Sequence, residues 1–177
     1  MTPAMGISVR PAAEQDVPAI HKVIQAAFTK LLSEPGSAKR LKALEETEDD
    51  IRKDLTKKRV LVCECGGMVV GSLRYHVVME NIAYLSRFGV LPEFHGRGIG
   101  GALVDEVVRA CKEQSLRAIA LHTSSAVHCT MRFYYRMGFF AAGISVSRGY
   151  YRALMVKELV KPEELIDYAA LFENSGL

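Results

Sequence analysis

The stretch that decides the fold is Val90-Leu91-Pro92-Glu93-Phe94-His95-Gly96-Arg97-Gly98-Ile99-Gly100-Gly101. An apolar run typical of a strand ends at Pro92, turns through glycines and continues directly into a helical pattern that begins near Ala102. A glycine turn that opens a helix presents unpaired backbone N–H groups at the positive end of the helix dipole. We therefore expect this turn to bind a phosphate or pyrophosphate group.

Length and composition predict one globular domain. The chain has 177 residues, of which 49% are hydrophobic and 24% charged, and a chain of this size buries roughly two thirds of its unfolded surface. Its net charge of +3 is small and its basic residues are dispersed, so we predict no nucleic-acid partner. We also predict no membrane partner and a cytoplasmic location, because there is neither a membrane-length apolar run nor a recognisable signal peptide.

The cysteines do not suggest a disulfide framework or a metal centre. Cys63 and Cys65 lie two residues apart in a predicted strand and therefore share one face. No second pair of ligands completes a zinc site. We predict that both are buried core thiols and that the protein has no metal site.

The apolar periodicity predicts a single mixed sheet flanked by helices, in the order β-α-α-β-β-β-α-β-α-β-β with a further C-terminal helix. One βαβ unit contains the glycine turn, and the class is α/β or α+β. The predicted strands are 7–10, 60–65, 68–79, 82–91, 118–121, 139–146 and 150–160, and the predicted helices are 13–28, 45–59, 98–113, 126–137 and 162–172.

The glycine turn formally matches the dinucleotide fingerprint, as Gly96-x-Gly98-x-x-Gly101. That fingerprint requires an acidic residue about 20 positions later, at the end of the next strand. Here that strand ends in Leu121-His122-Thr123. A nicotinamide-dependent reductase is therefore the weakest alternative, and a nucleoside-triphosphate loop is excluded because no Lys-Ser or Lys-Thr pair follows the glycines.

A second motif, Phe133-Tyr134 with Gly138-Phe139, lies at the end of a later predicted helix. Together with Val90-Leu91-Pro92 and the glycine turn, it resembles the GNAT superfamily of acetyl-CoA-dependent N-acetyltransferases. Motif order, spacing and element order all agree over about residues 6–160. The resemblance implies a GNAT-like domain at 6–160, whose mixed, mostly antiparallel sheet has a splayed fourth strand, and a helical C-terminal extension at 161–177.

The resemblance implies acetyl-CoA as co-substrate, although the sequence does not distinguish acetyl from longer acyl donors. The glycine turn and Arg97 would hold the pyrophosphate, and the end of the fourth strand would meet the pantetheine arm. An N–H near Gly89 aimed at the acetyl carbonyl would stabilise the oxyanion, an effect worth ~3 kcal/mol. His95 and Val127 depart from the residues usual in the family. The implied cofactor-binding residues are Phe88, Gly89, Val90, His95, Gly96, Arg97, Gly98, Ile99, Gly100 and Gly101.

Tyr134 stands where the family places its general acid, and a phenol can donate to the departing thiolate. The general base is not assigned, because Ser86 stands where many relatives have glutamate. Glu80, Tyr84 or a chain of waters are the alternatives. Covalent chemistry at Cys129 is a minor alternative, because its neighbour His128, the base that such chemistry would need, points in a different direction on the predicted helix.

The resemblance implies direct attack by a primary amine in a ternary complex. The acceptor, a small molecule or a protein, is expected to meet the loop at about 29–37, the second helix and the turn at 148–151. Relatives are often dimers, so a homodimer is an open expectation. The competing class is a non-catalytic module that binds or senses acyl-CoA.

Overall fold

The computed structural model describes residues 6–173 and 175–177. The strands are β1 (Ile7–Pro11), β2 (Arg59–Cys65), β3 (Met68–Val78), β4 (Ile82–Val90), β5 (Ala118–Ser124), β6 (Phe140–Ser147) and β7 (Tyr150–Glu158). The helices are α1 (Val17–Leu32), α2 (Glu48–Lys57), α3 (Ile99–Glu113), α4 (His128–Arg136) and α5 (Tyr168–Phe172). The observed order of elements agrees with the order predicted from the apolar periodicity.

The strands form one mixed sheet in the order β1-β2-β3-β4-β5-β7-β6. The pairs β1–β2, β2–β3, β5–β7 and β6–β7 are antiparallel. The pair β4–β5 is parallel and joins Ile82–Tyr84 to Ala118–Ala120, while β4 itself continues to Val90. The predicted fold class, a mostly antiparallel mixed sheet flanked by helices, is confirmed.

The chain divides into two compact units. The described part of the first unit comprises residues 6–31, 41–76 and 85–107, and the second comprises Leu32–Arg40, Val77–Tyr84 and 108–177 apart from Asn174. The core of the first unit includes Val17, Ile20, Ile24, Ile51, Val60 and Val62. The core of the second includes Ile82, Tyr84, Ala118, Leu154, Val156, Tyr168 and Phe172.

Helix α2 begins later than predicted because its cap is Thr47. The Thr47 hydroxyl accepts from the Asp50 N–H at 3.3 Å, and the Asp50 carboxylate accepts from the Thr47 N–H at 3.0 Å. This reciprocal capping box satisfies backbone donors that the helix itself leaves unpaired. The acidic first turn and Lys57 in the last turn complement the helix dipole.

The C-terminal helix is much shorter than the predicted 162–172. It runs from Tyr168 to Phe172, and the Asp167 carboxylate caps it by accepting from the Ala170 N–H. Leu165, an apolar residue within the predicted helix, is fully exposed, whereas Tyr168 and Phe172 are buried. The boundary between a 6–160 domain and a 161–177 extension stays a prediction, and Asn174 lies outside the described residues.

Among the described residues, no helix has both the length and the apolar character that crossing a bilayer demands. Cys63 and Cys65 are buried, as expected for core thiols. Burial raises the pKa of Cys63 to about 11, so its thiol stays protonated near neutral pH.

Candidate active site

The glycine turn is an open loop before α3, in the first unit. Gly96 and Gly98 have left-handed backbone angles, with φ of +76° and +82°, and both are exposed. A side chain at either position would meet no atom within 4 Å. The glycines are therefore required by backbone conformation, since other residues adopt this region at a cost.

The backbone amides of this loop are available to a ligand. Within the described part of the chain, the first α3 amide seen to donate to the protein backbone is that of Ala102, to the Gly98 carbonyl oxygen at 2.9 Å. The N–H groups just before it lie at the positive end of the helix dipole. This arrangement is that of an anion site at a helix N-terminus, and the binding of a pyrophosphate by it stays a prediction.

Two side chains of the loop are held in place by the protein. The Arg97 guanidinium lies over the Phe94 ring, 5.0 Å from its centre, where it remains exposed to solvent. His95 donates from Nε2 to the Val90 carbonyl oxygen at 3.0 Å. The His95 side chain therefore ties the loop to the end of β4, a role that sequence analysis did not anticipate.

Position 89 requires glycine for a packing reason that the sequence did not reveal. A Cβ at Gly89 would lie 2.9 Å from the Cβ of Ala27 and 3.6 Å from the side chain of Ile24, both on α1. Because real Cβ atoms do not approach so closely, glycine at this position lets α1 pack directly on β4. The predicted backbone role of Phe88, Gly89 and Val90 toward a ligand remains a prediction.

Arg87 interrupts the regular backbone of β4. Its φ is +51°, a left-handed conformation that is uncommon for residues other than glycine. Its Nε donates to Oε1 of Glu46 at 3.0 Å, and 31% of its side chain is exposed. Backbone strain of this kind persists only where surrounding contacts hold it, and it is concentrated at functional sites.

Glu46 belongs to a buried network of charges in the first unit. Arg74, which is fully buried on β3, donates to both carboxylate oxygens of Glu46, at 2.8 and 2.7 Å, and to Asp54 at 2.8 Å. Burial opposes ionisation of Asp54, but hydrogen bonds from Lys58 and Arg74 outweigh it and lower its pKa. Sequence analysis missed this network, although an arginine between Leu73 and Tyr75 in an apolar strand was a signal for it.

In the second unit, Tyr134 lies on the buried face of α4. Its ring makes edge-to-face contacts with Phe133 and Phe139, with ring centres 5.3 and 5.5 Å away. Burial raises the pKa of Tyr134 well above its ordinary value, and a negative charge on Tyr84 would raise it further. The Tyr134 phenol is therefore protonated near neutral pH.

The alternatives for a base occupy different environments. The Tyr84 hydroxyl is 2.9 Å from Nδ1 of His122, and the Phe172 ring packs 5.9 Å from Tyr84 and 6.1 Å from His122. Glu80 pairs with Arg117 at an exposed turn. The buried Ser86 hydroxyl has no hydrogen-bond partner in the described part of the chain. Sequence analysis did not single out His122 for any role.

His122 is neutral at physiological pH. Burial lowers the pKa of His122 to about 4, and the nearby positive charges of Arg152 and Arg148 act in the same direction. An unfolded histidine titrates near 6.5. As the pH falls from 6.5 toward 4, the unfolded chain therefore binds a proton at this position and the folded protein does not. The free energy of unfolding contributed by His122 is thus present above about pH 6.5 and is lost toward pH 4.

We therefore expect His122→Gln to make the protein less sensitive to acid. Urea unfolding at pH 7 and pH 5 should show a smaller loss of unfolding free energy in this variant than in the wild type. The exposed His128, changed to glutamine, is the matched control and should retain the wild-type dependence. An unaltered pH dependence in His122→Gln would show that the imidazole is not held neutral by its surroundings.

Two of the segments expected to meet the acceptor, the loop that contains Gly36 and the turn that contains Arg148, have residues with positive φ in the second unit. Gly36 has a φ of +81°, and a side chain there would lie 2.6 Å from the Ala126 carbonyl oxygen. Ser124 donates from its hydroxyl to the Gly36 carbonyl oxygen at 2.9 Å. In the turn after β6, Arg148 has a φ of +55° and is exposed.

The outer face of α4 forms a basic surface that the sequence analysis overlooked. His128, Arg132 and Arg136 recur every four residues on one side of the helix and line an open depression together with Met131 and Tyr135. Side chains at this spacing lie above one another on a helix. The depression is therefore flanked by a row of basic groups suited to an anion.

Comparison with known sequences decides the family. Residues 19–139, more than half of the chain, match the model of the acetyltransferase (GNAT) family. The chain belongs to the GNAT family. The match covers the glycine loop, Tyr134 and Phe139, so the resemblance found in the two motifs is confirmed. Acetyl-CoA, the predicted co-substrate, is confirmed at the level of this family of acetyltransferases.

Two curated relatives of this GNAT chain match it over different shares of its length. It is 28% identical over 131 residues to an amino-acid acetyltransferase of Mycobacterium tuberculosis, covering 74% of this chain and 67% of that protein. It is 30% identical over 84 residues to an uncharacterized N-acetyltransferase of Methanocaldococcus jannaschii, covering 44% of this chain. That match spans 37% of the archaeal protein, well under two thirds of its length.

Solved structures show the same fold. The PaiA N-acetyltransferase of Thermoplasma acidophilum, determined with coenzyme A, has a TM-score of 0.75 at 18% identity, covering 87% of this chain and 99% of that structure. The ribosomal-protein-S18-alanine N-acetyltransferase of Escherichia coli has a TM-score of 0.70 at 16% identity, covering 91% and 99%. At these identities the likeness demonstrates the fold and does not identify the acceptor.

Proposed function

We propose that this GNAT protein transfers an acetyl group from acetyl-CoA to a primary amine by direct attack in a ternary complex. The observation that carries the proposal is the loop before α3, where glycines with positive φ leave backbone amides available at a helix N-terminus. Such a loop holds a pyrophosphate, which coenzyme A carries. Family membership supports the same donor.

The backbone and the side chains of the loop would have different roles in binding coenzyme A. The amides of Gly96, Gly98 and the first turn of α3 would hold the pyrophosphate, and Arg97 would add a charge-assisted hydrogen bond. His95 would act by fastening the loop to Val90, since its Nε2 is already engaged there. Phe88, Gly89 and Val90 are the proposed backbone partners for the pantetheine arm and the acetyl oxygen.

Tyr134 is the proposed hydrogen-bond donor to the leaving thiolate. The amine nitrogen forms a bond to the acetyl carbon, the carbon–sulfur bond breaks, and the electron pair leaves on sulfur. The elevated pKa of Tyr134, caused by burial, keeps its phenol protonated for this purpose. Burial also removes competing water, which strengthens the hydrogen bond to a developing charge.

The attacking amine must lose a proton, and its acceptor is not assigned to one residue. Among the described residues the Ser86 hydroxyl has no hydrogen-bond partner that could activate it, and Glu80 is engaged with Arg117. Tyr84 and neutral His122 form a hydrogen-bonded pair, but the lowered pKa of His122 makes its imidazole a weak base. Glu80, Tyr84 and a chain of waters therefore stay open as routes for the proton.

A thiol-release assay tests the proposal against the competing class, a protein that binds acyl-CoA without turnover. Purified protein is mixed with acetyl-CoA and a panel of amines, and free coenzyme A thiol is measured. We expect release that depends on at least one amine. Tight binding of acetyl-CoA with no release for any amine would favour the non-catalytic module instead.

The edge strand β6 bears on the proposed homodimer. Ile144 and Val146 on this strand are 63% and 70% exposed, and Phe140 is 41% exposed. Apolar side chains on an unpaired strand edge favour association with a second chain. A homodimer and a cytoplasmic location both remain proposals.

A further inference from the structure

We propose that Arg87 binds a carboxylate of the acceptor, so that the acceptor is an amine that also carries a carboxylate group. The inference deepens the proposed transfer reaction and rests on it. Arg87 directly precedes Phe88 and Gly89, the backbone segment proposed to hold the acetyl group. A group recognised here would belong to a molecule that approaches the acetyl carbon.

The hydrogen bonding of Arg87 leaves one edge of its guanidinium unused. Its Nε donates to Glu46 at 3.0 Å, whereas its two terminal nitrogens make no hydrogen bond within the described part of the chain. The side chain is 31% exposed. A guanidinium fixed through Nε presents its two terminal nitrogens as a planar fork, which matches the two oxygens of a carboxylate.

The charges around Arg87 also favour an anion. The network joins the cations Arg74, Arg87 and Lys58 to the carboxylates Glu46 and Asp54, which leaves one positive charge without a partner. Arg74 is fully buried, so the excess charge of this network meets solvent at Lys58 and at Arg87, and Arg87 is the one that adjoins the proposed acetyl-binding segment. One acceptor carboxylate would neutralise it.

The surroundings hold Arg87 in position before a ligand arrives. Glu46 is fixed by two hydrogen bonds from Arg74, and its carbonyl oxygen accepts from Nε2 of His21 on α1 at 3.0 Å. The Arg87 side chain, which leaves a backbone of left-handed conformation, is therefore tied to a buried and fixed carboxylate. A positive charge near the acceptor would also lower the pKa of its ammonium group and favour the reactive neutral amine.

The experiment compares acceptors that differ only in a carboxylate. Thiol release is measured with the free α-amino acids and with their α-amides, using wild type, Arg87→Gln, Arg87→Lys and, as a control, Arg109→Gln on the exposed surface of α3. Glutamate, glutamine and the α-amide of glutamate distinguish an α-carboxylate from a side-chain carboxylate. Thermal unfolding of each variant checks that it folds.

We expect the wild type to prefer the carboxylate form of its best acceptor by about 10- to 100-fold in kcat/KM. Arg87→Gln should lose this preference while its KM for acetyl-CoA stays about the same. Arg87→Lys should retain part of it, because an ammonium keeps the charge but lacks the planar fork. Arg109→Gln should behave like the wild type.

Equal use of acids and amides by the wild type, or an undiminished preference in Arg87→Gln, would overturn the inference. If no amine supports thiol release, the proposed transfer reaction itself fails. In that case, calorimetric titration of the same amino acids into protein saturated with coenzyme A decides the carboxylate site separately. Binding by the wild type that Arg87→Gln abolishes would support it, and no binding by the wild type would overturn it.

Discussion

Tyr134→Phe is expected to lower kcat for acetyl transfer by about 10²- to 10³-fold, with little change in the KM for acetyl-CoA. The substitution removes a single hydroxyl and leaves the ring, whose contacts with Phe133 and Phe139 hold the end of α4. The lost hydrogen bond to the thiolate acts in the transition state and not in the ground-state complex, so kcat carries the effect. Steady-state kinetics with the best amine from the panel provides the measurement.

The adjacent Tyr135 is a matched control, because it lies on the same helix and is 51% exposed. Tyr135→Phe should leave kcat close to the wild-type value. Because the pKa of Tyr134 is raised by burial, its ionisation should produce no fall in rate up to about pH 10. Wild-type kcat in a stable Tyr134→Phe variant would remove this residue from the mechanism.

Glu46→Gln is expected to lower the free energy of unfolding by about 3 kcal/mol. The carboxylate is buried and compensates Arg74, whose guanidinium is wholly shielded from water. Glutamine keeps one acceptor oxygen, but it removes the negative charge and replaces the other oxygen with an NH2 donor that faces a guanidinium. Breaking a buried ion pair at one partner costs far more than the pair adds in net stability, because an uncompensated buried charge remains. Urea unfolding at neutral pH measures the loss.

Glu48→Gln provides the comparison for this effect. Glu48 also pairs with an arginine, Arg52, but both side chains are 40% exposed and water screens the pair. Exposed ion pairs contribute little to stability, so this variant should unfold at nearly the wild-type urea concentration. If Glu46→Gln were no less stable than Glu48→Gln, the buried network would not be a significant source of stability.

Features that depend on neighbouring residues could be predicted from the sequence. The strand, glycine turn and helix around Gly98 were predicted because periodicity and positive-φ glycines are local signals. The C-terminal helix was predicted too long because Leu165 fits an apolar period but lies in solvent. An apolar period predicts a buried helix face only when another element packs against that face. Whether one does depends on residues that are distant in the sequence.

Side chains that meet across long separations in the chain could not be predicted. Arg74 and Glu46 are 28 residues apart, Arg87 and Glu46 are 41 apart, and Tyr84 and His122 are 38 apart. Each residue alone is compatible with an ordinary surface or core position. Their pairing follows from the register of strands and the packing of α1 and α2, which composition and spacing do not specify.

The sequence by itself determined the family of this protein and, through the family, acetyl-CoA as co-substrate, because the motif from His95 to Gly101 depends on backbone geometry that neighbouring glycines control. Only the tertiary structure assigned His95 to the Val90 carbonyl and Gly89 to close contact with α1. It alone also left the terminal nitrogens of Arg87 available beside the proposed acetyl-binding strand. The physical reason is that an acceptor is recognised by side chains, and the position of a side chain depends on partners that are distant in sequence.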